Sequence, residues 1–242
     1  MTPRVVLITG STSGIGLATA RRFAEMGDTV VFNSAHSVEE GEHLASVTPN
    51  SHYVQADISN TDDCDRLIRE VLERCGRLDV LINNAGTTRV IAHQDLEAAT
   101  VDVWREIFEV NVFGTWQLSV AAMPALRLTH GAIVNVTSVA GVRATGSSIP
   151  YAASKAALNH VTTLLAKVVG PEVRVNAVAP GLIETPWWTS GWDAVDNFVK
   201  SVAPLRRSGT ADDVADVIVS LATTSYVTGQ IVVVDGGLSI AT

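Results

Sequence analysis

The sequence predicts an α/β fold, a doubly wound parallel sheet of seven strands with helices on both faces. Three observations predict it. Short β-branched runs alternate with longer amphipathic segments from one end of the chain to the other, the pattern of strands joined by helical crossovers. The first such run leads straight into a glycine-rich turn that opens a helix. The chain has 242 residues, 47% of them apolar and 17% charged, enough to bury a continuous core.

The strand candidates are Arg4 to Thr9, Thr29 to Asn33, His52 to Gln55, Leu78 to Ile82, Ala132 to Thr137, Arg174 to Ala177 and Ile231 to Val234. Between them, Gly16 to Met26, Asp62 to Cys75, Val103 to Leu126, Tyr151 to Val169 and Ala211 to Thr223 space their Ala, Leu, Ile and Val residues at helical intervals. No linker, repeat or low-complexity tract divides the chain, so residues 1–242 read as one domain. One segment breaks the alternation. Residues 186–204, bounded by Pro186 and Pro204, hold Trp187, Trp188 and Trp192, three of the five tryptophans, and read as an excursion over the carboxyl edge of the sheet. Lids and substrate walls occupy that place in doubly wound folds, although the same aromatics could simply pack a loop.

A formal net charge of -8 excludes the clustered basic surface that nucleic acid requires. No apolar run reaches membrane-spanning length, and Val5 to Ile8 is too short for a signal peptide. Cys64 and Cys75 lack a CxxC arrangement and read as structural thiols of a reducing compartment, which places the protein in the cytoplasm. The six histidines show neither HxxxH nor HExxH spacing, so no metal site is expected.

The turn after the first strand reads Thr9-Gly10-Ser11-Thr12-Ser13-Gly14-Ile15-Gly16. Gly10 suits a tight turn, Gly14 a close approach of backbone to a pyrophosphate, and Gly16 close packing of helix on strand, while the helix start offers free N–H groups. No lysine follows, which excludes a P-loop. The second strand ends in Asn33-Ser34-Ala35-His36, without the acidic residue that would hold an NAD ribose and without a basic one for a 2'-phosphate. Hydroxyls at Ser13 and Ser34 are the available donors, with His36 either a third donor or a solvated turn residue. NADP(H) is favoured on this ground and NAD(H) stays possible.

Tyr151 and Lys155 stand four apart at a helix start after Pro150, so both side chains leave the same face. A tyrosine with a reference pKa of about 10 shuttles protons at neutral pH only if positive charge favours its phenolate, and Lys155 with an oxidised nicotinamide would supply that. Ser138 follows the fifth strand, where its hydroxyl can bond a developing alkoxide. A serine hydrolase is the competing use of this serine, but there is no G-x-S-x-G elbow and His160 is the last histidine.

Taken in order, these motifs resemble the short-chain dehydrogenase/reductase family along essentially the whole chain. The resemblance rests on Thr9-Gly10-x3-Gly14-Ile15-Gly16, Asp57, Asn83-Asn84-Ala85-Gly86, Asn111, Ser138, Tyr151-x3-Lys155 and Pro180-Gly181-x-Ile183-x-Thr185. It implies a Rossmann-type sheet of order 3-2-1-4-5-6-7 and a homotetramer built on the Val103 to Leu126 and Tyr151 to Val169 helices. It further implies a catalytic set of Asn111, Ser138, Tyr151 and Lys155. Asp57 and Ile58 would meet the adenine, Asn84 to Gly86 would lie beside the cofactor together with Ser11 of the glycine turn, and Ile183 and Thr185 past Pro180-Gly181 would hold the carboxamide. Asn111 would kink its helix and fix a water leading to Lys155, which would also bind the nicotinamide ribose.

The implied partner is a small carbonyl or alcohol. The pattern is closest to 3-oxoacyl-carrier-protein reductases, with three departures: no basic residues in the glycine loop or second strand, a shortened segment before Tyr226, and the tryptophan-bearing loop. A non-catalytic NADP(H)-sensing protein is the alternative from another class. Such proteins commonly lose a catalytic residue, whereas all four are present here. A purely structural assembly protein would need no pocket at the strand ends.

Overall fold

The computed structural model describes residues 3–187 and 191–241. Its seven-stranded sheet is parallel throughout and comprises β1 (Val5–Ile8), β2 (Thr29–Ser34), β3 (Ser51–Gln55), β4 (Val80–Asn83), β5 (Ala132–Val136), β6 (Arg174–Pro180) and β9 (Ile231–Val234), in the order β3-β2-β1-β4-β5-β6-β9. That is the expected order. The seventh strand is numbered β9 because a two-residue ladder, β7 (Ile183–Glu184) with β8 (Gly209–Thr210), precedes it. β1 is an interior strand, with Val5 beside Thr29 on one side and Val6 beside Val80 on the other.

Both faces of the sheet are covered, which is why its strands read as continuous apolar runs. Leu7, Leu81 and Ile133 point to one face, under α3 (Thr61–Cys75), α5 (Thr115–Thr129) and α6 (Ile149–Val169). Ile8, Phe32 and Val134 point to the other, under α1 (Gly14–Glu25) and α8 (Ala211–Thr223).

Two helical features depart from the sequence expectation. α2 (Val38–Val47) was not anticipated, since a mid-helix Gly41 and only one buried large apolar residue, Leu44, leave little periodicity to read. Gly41 is there for packing: a Cβ would lie 2.2 Å from a Tyr53 ring carbon. The expected Val103 to Leu126 helix is three pieces, α4 (Val101–Phe108), a π-helical turn (Glu109–Gly114) and α5. The π turn widens the helix by one residue at Asn111, a device frequent at functional sites.

The 186–204 excursion carries α7 (Trp192–Val202) and has no strand within its described residues. Val199 and Ala203 bury against Leu182, with Trp192 and Leu238 packed around them. Trp187 is about half exposed. Trp188 lies outside the described residues. After β9 the chain makes a last helical turn, α9 (Leu238–Ala241). No described helix is long and apolar enough to cross a membrane.

Candidate active site

Parallel strands end at one edge, so the segments after β1, β4, β5 and β6 converge there. α1 begins at that edge. Ser13 occupies its N-cap without a side-chain hydrogen bond, and its first turn holds no acidic residue. α3, α4, α6 and α8 are instead capped by Asn60, Thr100, Ser148 and Thr210. The first-turn amides and positive dipole end of α1 are therefore left for an external anion. Gly14 has φ +53°, and a Cβ at Gly16 would stand 2.5 Å from the Gly10 carbonyl, so a glycine is required for the helix to sit this close to its strand. An uncapped, acid-free helix start beside a glycine turn fits the pyrophosphate of a nicotinamide dinucleotide.

Several residues expected beside the cofactor from the sequence also bond the loops that surround its place. The Ser11 hydroxyl accepts the Asn33 N–H at 3.0 Å and tethers the turn to β2. The Asn84 amide donates to the Thr9 and Gly10 carbonyls at 2.8 and 2.9 Å. Thr9 completes that junction by accepting the N–H groups of Asn84 and Ala85, both at 3.0 Å. Nothing in the sequence marks this role of Thr9, because its partners lie 75 and 76 residues away. The Ser34 hydroxyl shares a 2.9 Å bond with the Tyr53 hydroxyl. Asp57 accepts the N–H and hydroxyl of Ser59, and Ile58 is buried, so only its backbone can meet a ligand. Pro180 ends β6, Gly181 donates to the Val234 carbonyl, and Ile183 is buried in β7. The Thr185 side chain faces Gly14, 3.4 Å from where a Cβ there would stand.

The four catalytic candidates assemble at the same edge. α6 starts at Ile149 with Pro150 in its first turn and Ser148 accepting the Tyr151 N–H, so Tyr151 enters from a capped helix start. Lys155, one turn on, is buried; its Nζ donates to the Val136 carbonyl at 3.0 Å and lies 5.8 Å from the Tyr151 ring centre. Burial lowers its pKa from 10.5 to about 8. Burial also raises the Tyr151 pKa, opposed by a hydrogen bond with Ser138. The sequence reading expects Lys155 to favour the phenolate. In the structure the Lys155 Nζ donates to the Val136 carbonyl and sits over the ring, and it is burial that opposes the phenolate.

Asn111, in the π turn, is fully buried. Its Oδ1 accepts the Thr87 N–H at 2.8 Å, and its Nδ2 donates to the Thr87 carbonyl and the Ser154 hydroxyl, each at 3.0 Å. It thus binds the loop after β4 to α6. Gly86 lies between them, where a Cβ would come within 3.2 Å of Asn111 Oδ1 and 3.4 Å of Lys155 Nζ. The loop from 143 to 148 flanks Tyr151: a Cβ on Gly146 would stand 3.6 Å from the tyrosine ring. Thr88, Ile91 and His93 hold that loop through bonds to Ser147 Oγ (2.6 Å), Ser147 O (2.8 Å) and Gly146 O (3.1 Å). No sequence motif marks these contacts.

Fold and site together define a dinucleotide-binding oxidoreductase. The family model described as "Enoyl-(Acyl carrier protein) reductase" matches residues 10–239. "Granaticin polyketide synthase putative ketoacyl reductase 2" of Streptomyces violaceoruber is 54% identical over 236 residues, covering 96% of this chain and 95% of that protein. The 3-oxoacyl-[acyl-carrier-protein] reductase FabG of Thermotoga maritima is 39% identical, with 98% of each chain covered. Among solved structures, 3-ketoacyl-(acyl-carrier-protein) reductase of Brucella melitensis complexed with NADH superposes with a TM-score of 0.90 at 30% identity, covering 98% of each chain. ElxO with NADP bound superposes with a TM-score of 0.90 at 29% identity, covering 99% of this chain and 100% of its own. The chain belongs to the short-chain dehydrogenase/reductase family. It is an oxidoreductase that uses a nicotinamide cofactor to transfer hydride between that cofactor and a carbonyl or secondary alcohol.

Proposed function

We propose that this protein is a reductase of 3-oxoacyl groups that prefers NADPH, with Tyr151 as the proton donor. The observation that carries the reading is Tyr151 one helical turn from the buried Lys155, whose Nζ bonds the Val136 carbonyl two residues before Ser138, beside an uncapped helix start. The 54% identity to a ketoacyl reductase of a polyketide synthase supports the substrate class.

The bound dinucleotide supplies a hydride. Ser138 orients the substrate carbonyl oxygen, and Tyr151, held as a neutral phenol, donates its proton to that oxygen as negative charge develops. Lys155 is positioned to hold a cofactor ribose and to stabilise the resulting phenolate. Asn111 fixes the loop after β4 against α6 and lies on the path by which a proton returns to Lys155. Gly10, Gly14, Ile15 and Gly16 receive the pyrophosphate, Asp57 and Ile58 the adenine, and Ile183 and Thr185 the carboxamide. Preference for NADPH follows from the absence of a carboxylate at the end of β2, where Ser34 stands.

The chain acts as one domain in a cytoplasmic homotetramer. Phe113, Trp116 and Val120 on the π turn and α5, and Leu164 and Val168 on α6, are exposed apolar side chains on the two helices expected to pair between copies.

Turnover is followed at the nicotinamide absorbance with a 3-oxoacyl thioester and simple ketones, using NADPH and NADH in turn, and with secondary alcohols, using NADP+ and NAD+. Fast NADPH oxidation with the thioester is expected. Equal affinity for the two cofactors would remove the NADPH preference, and turnover of alcohols alone would replace the substrate class.

A further inference from the structure

Arg143 lies five residues past Ser138, after the short turn Val139–Gly141, and is exposed. Its N–H bonds the Val139 carbonyl at 2.9 Å, so its backbone continues the turn that carries Ser138. Arginines elsewhere near the carboxyl edge pair with carboxylates, as Arg89 does with Glu106 at 2.9 Å and Arg207 with Asp213 at 2.6 Å. Arg143 has no carboxylate partner among the described residues. Its guanidinium reaches the α9 turn instead, donating from Nε to the Ser239 carbonyl at 3.0 Å and from Nη1 to the Val142 carbonyl at 3.3 Å.

The α9 turn is itself anchored. The Asp235 carboxylate accepts the N–H groups of Gly237 at 2.8 Å and Ser239 at 2.7 Å. Leu238 packs with Leu182, Val199 and Ala203, joining the turn to α7. The Leu205 N–H bonds the Gly236 carbonyl at 3.1 Å, which fastens the turn to the end of the 186–204 excursion. The base of α7 is held separately, since Asp196 accepts from Ser208 at 2.7 Å. The loop bearing Ser138 and α7 thus both stand at the carboxyl edge, where they would wall a substrate, and the α9 turn touches both.

We infer that Arg143 and the α9 turn form a tie that sets the separation of these two walls, which makes Arg143 a positioning residue for acceptance of the carbonyl substrate. The inference rests on the reading of this edge as the substrate site. An arginine suits the task because its planar fork can bond carbonyls of two segments at once, whereas a lysine offers a point donor on a looser stem. The bond is exposed, so its loss is felt in the width of the mouth more than in folding stability.

The test uses the full chain with Arg143→Ala, Arg143→Lys, Leu238→Ala and the Arg143→Ala/Leu238→Ala double variant. Steady-state kinetics are measured with cyclohexanone and with a bulky bicyclic ketone, 1-decalone, alongside the NADPH dissociation constant and the thermal midpoint. Arg143→Ala is expected to change KM for the bicyclic ketone about fivefold or more and that for cyclohexanone by less than about twofold, with NADPH affinity held. Arg143→Lys should recover part of the change. Leu238→Ala should move the ratio of the two KM values in the same direction, and the double variant should fall short of the product of the single effects. Equal change for both ketones, an unchanged ratio, or independent multiplication of the two effects would overturn the inference. If the wild-type protein turns over neither ketone, the inference fails; if it turns over no 3-oxoacyl thioester either, the reading of the site fails with it.

Discussion

Replacing Lys155 with methionine separates the cost of burying an ammonium from its use. Lys155 is 4% exposed, and burial moves its pKa from 10.5 to about 8. Between those values the folded protein binds fewer protons at this site than the unfolded chain, so stability rises with pH there and is flat below. Each pH unit in that window contributes about 1.4 kcal/mol. From pH 8 to 9.5 the wild-type protein should therefore gain about 2 kcal/mol relative to Lys155→Met, other titrating groups cancelling in the difference. Loss of the bond to the Val136 carbonyl adds an offset that does not depend on pH. The assay is urea denaturation of both proteins without dinucleotide, at equal protomer concentration, from pH 6 to 9.5. The stability difference should be constant to about pH 7.5 and then move in favour of wild type. A difference that stays constant to pH 9.5 would refute the idea that Lys155 is held at a lowered pKa by burial.

Other substitutions test the remaining parts of the site. Tyr151→Phe should lower kcat by about 10²- to 10⁴-fold while the NADPH dissociation constant, from fluorescence titration, stays within about twofold. Thr9→Val keeps the side-chain shape but leaves the N–H groups of Asn84 and Ala85 without their acceptor, and should cost about 1–3 kcal/mol in urea denaturation. Ser34→Asp places a carboxylate where the NADPH preference is proposed to arise. It should weaken NADPH binding about tenfold or more and leave NADH binding nearly unchanged; equal weakening of both would remove Ser34 from the 2'-phosphate site.

Much of this was legible in the sequence because the physics is local. A β-branched run such as Val5–Ile8 followed by Gly10, Gly14 and Gly16 specifies strand, turn and helix start within a dozen residues. The spacing of Tyr151 and Lys155 puts both on one helix face, since an α-helix returns after 3.6 residues. The resemblance to a family then supplied the strand order and the roles of distant motifs, and the observed sheet agrees with that order.

What the sequence by itself determined was the strands, the glycine turn, and the residue types at the site. Only the tertiary structure decided whom they meet. That Ser11 meets Asn33, that Asn84 bridges to the turn after β1, and that Ser34 shares a bond with Tyr53 depend on groups between 19 and 75 residues away. The resemblance implied a kink at Asn111, but not its form as a π turn, nor its bonds to Thr87 and Ser154, which span 24 and 43 residues. Hydrogen bonds act at about 3 Å, and no periodicity along the chain encodes which remote segment packing will bring within that reach.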